Sequence, residues 1–294
     1  ADTPGLASRR AAARLLAAIV DARTSLDGLT DHEHGHPQFL ALGLRDRALV
    51  RAILTTALRF RGTIQALIDA RLDRPLPANA HALSHVLHVA AAQMLFLDVP
   101  DSAAVDIAVT QAKSDPRTSR FAALVNGILR EIARRKERAL PAALAKAVDA
   151  PEWFVERLEG AYGKTQAAAI LAAHRLEAPI DLTVKSNPEN WAERLGGIVL
   201  PTGGVRLGKI EGAITELPGF AEGEWWVQDA AAAMPAQLLG DIAGLRVADL
   251  CAAPGGKTAQ LALAGASVTA LEVSPNRARR LAANLERLRL EANI

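Results

Sequence analysis

The pattern of hydrophobic and polar positions divides the chain into two parts of different character. Up to about residue 147, apolar residues recur every three or four positions, as on the buried face of an α-helix. In residues 9–24, for example, Leu15, Leu16 and Ile19 fall on one face, and Arg14 falls elsewhere. This periodicity predicts helices at residues 9–24, 45–61, 79–97, 102–113 and 119–138. Gly, Pro, Asp and Ser fill the segments between them, so the first part is predicted to be an all-α bundle.

From Pro151 onward the pattern changes to shorter elements. Residues 153–162 and 164–175 predict two short helices separated by Gly163. Polar and apolar residues then alternate, which is typical of half-buried strands. The predicted strands are residues 181–185, 204–207 and 225–228. We therefore expect a small α+β module with a mixed sheet, joined to the bundle by an Ala-rich helical linker or boundary at residues 140–151.

The last segment predicts a strand, a Gly-rich turn, a helix, a second strand and a second helix. The strands are residues 246–250 and 268–272, and the first helix is residues 257–263. The second helix opens at Ser274 and Pro275, which suit the N-cap and first helical positions. A β-α-β-α order implies a parallel sheet with right-handed crossovers. The expected domains are residues 1–147, 148–228 and 229–294.

Composition indicates a globular chain with one basic half. Of 294 residues, 50% are hydrophobic and 22% charged, which excludes a disordered protein. No apolar run reaches the roughly 18 residues of a membrane span, and no signal peptide opens the sequence. We therefore expect a cytoplasmic protein that does not enter a membrane. Residues 1–150 hold 20 Lys and Arg against 15 Asp and Glu, whereas residues 151–294 hold 14 against 17. A basic helical half fits a polyanion partner, although a solvated Arg-rich surface has the same composition.

The turn after the first strand of the last segment is a candidate ligand site. Residues 251–257 read Cys-Ala-Ala-Pro-Gly-Gly-Lys, which allows close approach to the backbone at a helix N-terminus. Glu272 ends the next strand, where a carboxylate can accept hydrogen bonds from ribose hydroxyls. The alternative is a tight turn beside a solvated Glu. A P-loop for ATP or GTP is disfavoured by Cys251 and Pro254, and no Gly-x-Gly-x-x-Gly motif for a dinucleotide is present.

These residues resemble a known family. The run Asp-Leu-Cys-Ala-Ala-Pro-Gly-Gly-Lys-Thr at 249–258 resembles the cofactor motif of the Sun (Fmu) family of RNA 5-methylcytosine methyltransferases. Residues 227–231 and 270–277 are similar to two further segments of that family. In the first half, residues 45–49, 105–109 and 125–130 resemble the NusB-type RNA-binding helical domain of the bacterial small-subunit rRNA methyltransferase B subfamily. The resemblance thus implies an all-α NusB-like bundle, a small α+β module and an α/β Rossmann-like methyltransferase domain.

The resemblance also implies a cofactor and site residues. S-adenosylmethionine would lie against the turn, formed by Cys251, Ala252, Ala253, Pro254, Gly255, Gly256 and Lys257. Glu272 would hold the ribose, and Arg277 would line the same site. On the helical half, RNA phosphates would contact basic residues that otherwise form solvated faces. These residues are Arg47, Arg51, Arg130, Arg134 and Arg135, with Arg59 and Lys136 in the same stripes. Where the family often has Arg in a strand, this chain reads Leu-Thr-Val-Lys at 182–185, so Lys185 is one possible substitute.

The chemistry that the resemblance implies needs a thiolate that the chain lacks. Carbon 5 of cytosine becomes nucleophilic only after a cysteine adds to carbon 6. The single cysteine, Cys251, lies in the cofactor turn, where we expect it to face the cofactor or the core. The family's catalytic cysteines lie on later strands, beyond Ile294, and only two strands of the sheet are predicted here. We therefore expect a truncated methyltransferase domain with no catalytic residue and, by itself, no activity.

Other notable residues have plainer interpretations. His81, His85 and His88 share helical spacing, and His32, His34 and His36 alternate in a loop. For the first set, core or exposed histidines are favoured over a metal site, because no carboxylate or cysteine joins them locally. For the second set, an incidental Gly/Pro loop is favoured over a metal site. For Trp225 and Trp226, core packing is favoured over stacking on a base.

The most specific hypothesis is an S-adenosylmethionine-dependent enzyme that makes 5-methylcytosine in 16S rRNA and acts as a monomer. An alternative is a non-catalytic RNA-binding factor of the antitermination type with a remnant cofactor domain. Methylation of a protein or small molecule is disfavoured by the basic helical half.

Overall fold

The computed structural model describes residues 3–77, 80–208, 210 and 212–294. It contains two compact units, Ala1–Leu176 and Glu177–Ile294. Within the described residues, no helix is long and apolar enough to span a bilayer.

The first unit is helical and packs around one central helix. Its helices are α1 Leu6–Val20, α2 Leu26–Leu29, α3 Pro37–Leu40, α4 Leu44–Arg59, α5 Arg61–Asp69, α6 His81–Phe96, α7 Asp101–Ser114, α8 Ala122–Lys146 and α9 Glu152–His174. The central helix, α6, is apolar on nearly every side and packs against α1, α4, α7 and α8. Leu16, Ile53, Leu87 and Leu129 are fully buried in this core.

The predicted helices are present, with different ends. The predicted start of α6 at Asn79 lies outside the described residues. The stretch at 140–151, predicted as a helical linker or domain boundary, begins as the last turns of α8, which continues through Pro141 to Lys146. Gly163, with φ of 75°, interrupts α9, so the two predicted short helices meet at a kink there.

The helical unit extends beyond residue 147, where the sequence predicted the domain to end, because one carboxylate ties the following segment to it. Asp149 is buried and accepts hydrogen bonds from the backbone N–H and the hydroxyl of Thr63, at 2.6 and 2.8 Å. Arg175, just after α9, donates to Asp149 at 2.8 Å and to the carbonyl of Leu144 at 2.6 Å. The start and the end of α9 are therefore both fastened to the bundle.

The second unit opens with a four-stranded sheet of order β2-β3-β1-β4. The strands are β1 Asp181–Val184, β2 Gly197–Val199, β3 Val205–Leu207 and β4 Trp225–Val227, with helix α10 Pro188–Leu195 between β1 and β2. Every pairing in this sheet is antiparallel, so the predicted mixed sheet is wrong. The short β2–β3 connection forms a hairpin, which cannot support a parallel pair. Trp225 is fully buried in this module, and Trp226 is buried beneath the cofactor turn, as the core interpretation predicted.

The rest of the unit has the predicted β-α-β-α order. Helix α11 Ala230–Gln237 leads to β5 Arg246–Asp249, α12 Gly256–Leu263, β6 Ser267–Ala270 and α13 Pro275–Leu288. Strands β5 and β6 pair in parallel. The C-terminal end of α13 is fastened to the antiparallel sheet: Arg287 donates to the carbonyl of Phe220 at 2.7 Å, and Lys185 donates to that of Leu288. Lys185, weighed above as an RNA contact, is thus used inside the unit.

Candidate cofactor-binding site and basic surfaces

The candidate cofactor site lies at the carboxyl ends of β5 and β6. The parallel register pairs Asp249 with Ala270, so both chains leave the sheet at the same edge. The Leu271 N–H donates to the carbonyl of Asp249 at 2.8 Å, and the Ala252 N–H donates to that of Leu271 at 3.0 Å. The turn at 251–257 and the acidic residue Glu272 are therefore held side by side, as ligand sites in open α/β folds require.

Glycine is required inside the turn. The peptide between Ala253 and Pro254 is cis, and Gly255 follows with φ of 109°. A β-carbon on Gly255 would lie 2.8 Å from Cδ1 of Leu281, which is too close. Ala252 and Ala253 are buried, whereas Pro254 and Lys257 are exposed. Small residues thus bring the backbone of the turn to the surface, where a ligand can approach it.

Helix α12 presents an uncapped N-terminus to this turn. Its N-cap is Gly255, which offers no side chain, and the Ala259 N–H already bonds to the Gly255 carbonyl at 2.8 Å. The first N–H groups of α12 and the positive end of its dipole are therefore available to a ligand. Asp249 anchors the helix by accepting a hydrogen bond at 2.8 Å from the buried Thr258 hydroxyl. Sequence reasoning missed this pair, although both residues lie within the quoted motif.

Glu272 and Arg277 form the second half of the site. The Glu272 side chain is only 5% exposed, and its Oε1 accepts from the Ser274 N–H at 3.0 Å. Arg277 bridges the two halves: its Nη1 lies 3.5 Å from Oε2 of Glu272, and its Nη2 donates to the Ala253 carbonyl at 2.7 Å. A carboxylate oriented in this way keeps lone pairs for hydroxyl donors.

The residues present fit S-adenosylmethionine. A glycine turn and a free helix N-terminus suit a ligand that approaches the backbone, and an oriented carboxylate suits a ribose diol. Asn284, which the sequence did not single out, donates to the Pro254 carbonyl at 2.8 Å and so supports the turn from α13. Cys251 is exposed at the start of the turn, which excludes the core and leaves the cofactor side of the two environments expected for it.

The basic residues predicted to contact RNA fall into two groups. Arg47 donates to the carbonyl of Leu42 at 2.9 Å, and Arg51 donates to that of Thr30 at 3.2 Å, so both hold the α2–α3 segment. On α8, Arg134 and Arg135 both pair with Glu131 and remain largely exposed. Arg130 is exposed, and no ion pair joins it to another described residue. Lys136 pairs with Asp101 at 2.9 Å, and Arg59 is half-buried beside the end of α8.

A groove of about 720 Å³ in the helical unit holds basic residues that sequence reasoning missed. Arg10 and Arg14 line it one turn apart on α1, and Arg117 lines it from the segment after α7. Arg10 donates to the Ser114 hydroxyl at 2.7 Å. Arg117 hydrogen-bonds Asp115, which raises the pKa of Arg117 and lowers that of the carboxyl. The i, i+4 spacing of the two α1 arginines was the available sequence signal.

The histidines do not converge on one point. His85 lies 2.8 Å from the Asp21 carboxylate, whereas Nδ1 of His88 lies 2.8 Å from the Ser84 carbonyl and His81 is exposed. His85 and His88 are thus core histidines, as favoured above. In the loop, His36 caps α3 by accepting from the Gln38 N–H at 3.2 Å.

Comparisons with known proteins match two parts of the chain to two families. Residues 6–134 match the NusB family, and residues 236–294 match the family described as 16S rRNA methyltransferase RsmB/F. The chain is 35% identical to ribosomal RNA small subunit methyltransferase B of Xylella fastidiosa, over 99% of this chain and 68% of that protein.

The chain belongs to the ribosomal RNA small subunit methyltransferase B family.

The resemblance to the Sun (Fmu) family is therefore confirmed, and a NusB-like helical part precedes an α/β part. The probable ribosomal RNA small subunit methyltransferase B of Synechocystis is 33% identical, over 74% of this chain and 52% of that protein. The chain thus spans about half to two thirds of the length of these relatives. The crystal structure of PH0851 shares the fold, with a TM-score of 0.63 and 21% identity, over 100% of this chain and 69% of that one.

Proposed function

We propose that this chain forms the RNA-docking and cofactor-binding parts of an S-adenosylmethionine-dependent methyltransferase that makes 5-methylcytosine in 16S rRNA. The observation that carries the proposal is the pairing of the uncapped α12 N-terminus with the oriented Glu272 carboxylate at one sheet edge. The family's members are named as small-subunit rRNA methyltransferases, which supports the substrate class.

The chain's own residues bind and orient the cofactor. When bound, S-adenosylmethionine supplies the activated methyl group. Glu272 accepts hydrogen bonds from the ribose, Arg277 keeps that carboxylate beside the turn, and the backbone of residues 251–257 lies against the rest of the ligand. Cys251 is assigned to this turn and not to the nucleophile's role, because it lies two residues after the end of β5, at the edge proposed to bind the cofactor.

Calorimetric titration with S-adenosylhomocysteine tests the cofactor site. The wild-type chain should bind saturably, and Glu272→Gln should bind at least about tenfold more weakly, since it removes a charge-assisted acceptor. Glu291→Gln, an exposed carboxylate near the end of the chain, is the matched control and should bind like wild type. A folded wild-type chain that does not bind would refute the cofactor site.

The helical unit is proposed to dock rRNA through its exposed basic residues. Arg130, Arg134 and Arg135 on α8 and the α1 groove residues Arg10 and Arg14 provide the positive charge. Binding of a 16S rRNA fragment should weaken steeply with salt, and each phosphate contact removed should reduce the slope of log K against log salt by roughly 1 or slightly less. Comparing Arg10→Ala/Arg14→Ala with Arg134→Ala/Arg135→Ala in filter-binding assays at several salt concentrations shows which surface contributes. Unchanged slopes in both pairs would refute RNA contact at these residues.

The match of residues 6–134 to the NusB family also favours a second candidate, a non-catalytic RNA-binding factor with a remnant cofactor domain. RNA binding without any S-adenosylhomocysteine binding would favour this candidate over the methyltransferase.

A further inference from the structure

A buried carboxamide lies directly beneath the candidate cofactor turn. Gln228 follows β4 and is 7% exposed. Its side-chain oxygen accepts hydrogen bonds from Nε1 of Trp226 at 2.9 Å and from the hydroxyl of Thr183 at 2.8 Å. Its nitrogen donates to Oε1 of Gln260 at 2.6 Å. Both lone pairs of the oxygen are thus used, and the rotation of the amide plane is fixed.

Gln228 touches helix α12 at two points one turn apart. The first is Gln260, whose own nitrogen donates to the Ala233 carbonyl of α11 at 3.1 Å. The second is the first residue of the helix: a methyl group on Gly256 would lie 3.4 Å from both Cδ and Nε2 of Gln228. The start of α12 therefore lies close to this amide.

From these contacts we infer that Gln228 is a positioning residue, which sets the N-terminus of α12 and the turn at 251–257 relative to the antiparallel sheet. The inference rests on the proposed function, since the turn matters as a cofactor site. Helix α12 has only eight residues, and a glycine with no side chain precedes it, so few local restraints hold its first turn. Asp249 restrains it from β5 through Thr258, and Gln228 restrains it from β1 and β4.

If Gln228 only filled space, an apolar side chain of similar size should replace it without loss of ligand binding. An unbranched apolar side chain of similar length could fill the same volume, but it could not orient Gln260 or restrict rotation of the helix start. A buried polar network in which every group has a hydrogen-bond partner holds its side chains in one arrangement, which burial of apolar surface alone does not do. Removing the hydrogen bonds while keeping the volume should therefore affect ligand binding more than folding.

Gln228→Met is the primary test, with Gln237→Met as control, because Gln237 is exposed on α11 and, among the described residues, donates only to the Thr202 carbonyl. Affinity for S-adenosylhomocysteine, the thermal midpoint and the amide NMR resonances of residues 255–258 are compared. We expect Gln228→Met to bind about tenfold more weakly and to shift those resonances, whereas the control matches wild type. Affinity within twofold of wild type, or unshifted resonances in a folded variant, would overturn the inference.

Gln228→Glu provides a rescue and a second route if the Met variant does not fold. At pH 7.5 the carboxylate cannot donate to Gln260, and binding should be weak. At pH 5.5 burial favours the protonated acid, which accepts from Trp226 and Thr183 and donates to Gln260 as the amide does. Affinity relative to wild type at the same pH should then recover, and a failure to recover would count against positioning. If wild type itself does not bind, the proposed function is refuted, and the resonance comparison, which needs no ligand, still decides the role of Gln228.

Discussion

The stability of the helical unit should fall between pH 7 and pH 4 because of one buried histidine. His88 is completely buried on α6. Its Nδ1 lies 2.8 Å from the Ser84 carbonyl and so carries the proton of the neutral ring, whereas Nε2 is buried and makes no hydrogen bond within the described residues. The pKa of His88 is lowered from 6.5 to about 4, chiefly by burial and also by the nearby charge of Arg61, against a raising effect of the Ser84 carbonyl.

The change in unfolding free energy with pH is set by the difference between the pKa values of His88 in the unfolded and folded states. Unfolded His88 takes up a proton near its ordinary pKa of 6.5, whereas folded His88 does so only near 4. Its neutral form is thus compatible with the fold above 6.5, and stability is lost as the pH falls from 6.5 towards 4. With these two values, lowering the pH from 7.5 to 5 costs about 2 kcal/mol, and the full loss is on the order of 3 kcal/mol.

Urea unfolding followed by circular dichroism at 222 nm reports the helical unit. The measurement is made at pH 7.5 and pH 5 on wild type, His88→Leu and His81→Gln. His88→Leu removes the titrating ring, so its loss of unfolding free energy between the two pH values should be about 2 kcal/mol smaller than that of wild type. His81→Gln changes an exposed residue of the same helix and should retain the wild-type pH dependence. Equal pH dependence in wild type and His88→Leu would refute the reasoning.

Three further substitutions test other parts of the structure. Gly255→Ala should lower the thermal midpoint and S-adenosylhomocysteine affinity, because its β-carbon meets Leu281, whereas Gly240→Ala, also at positive φ but in open space, should change neither by as much. Asp149→Ala should reduce the unfolding free energy by about 2–4 kcal/mol in urea titrations, since it leaves the buried Thr63 N–H unpaired and removes the carboxylate partner of the half-buried Arg175; a loss below about 0.5 kcal/mol would contradict its role as a tie. The hydrogen bond from Arg206 lowers the pKa of Asp181, so this pair stabilises the fold above the ordinary carboxyl range and loses effect as the pH falls through it. Asp181→Asn should flatten the unfolding free energy against pH below about pH 4, and an unchanged curve would contradict this assignment.

The helices and the cofactor turn could be predicted because their information is local. The periodicity of α1 and α4, and the order of small residues at 251–257, depend on neighbours within a few positions. Strand β2 was missed because Gly197–Val199 is short and two of its three residues are exposed, so its identity depends on pairing with β3. Short strands are defined by their partners more than by their own residues.

Side-chain roles were harder to predict than elements. Arg47 was grouped with RNA contacts because it is basic and lies on a helix, yet its guanidinium ends on backbone carbonyls that no periodicity reveals. Asn284 supports the turn from α13, 30 residues after Pro254, and Gln228 supports it from the antiparallel sheet that precedes it in the chain. Sequence spacing reveals neither contact. The proposed chemistry of the site rests on residue type, whereas the side chains that support the turn are evident only in the three-dimensional structure.

The bridge formed by Arg277 has a consequence for transplanting this motif. The decapeptide at 249–258 carries the motif that resembles the family's cofactor site, but its Ala253 and Pro254 carbonyls are held by side chains of α13. Grafted alone into another α/β scaffold, the loop would keep its glycines but lose the hydrogen bonds from Arg277 and Asn284 that hold its carbonyls. A functional transplant would therefore have to include β6 and α13 as well as the loop. The smallest segment that could be transplanted is the whole β5-α12-β6-α13 unit.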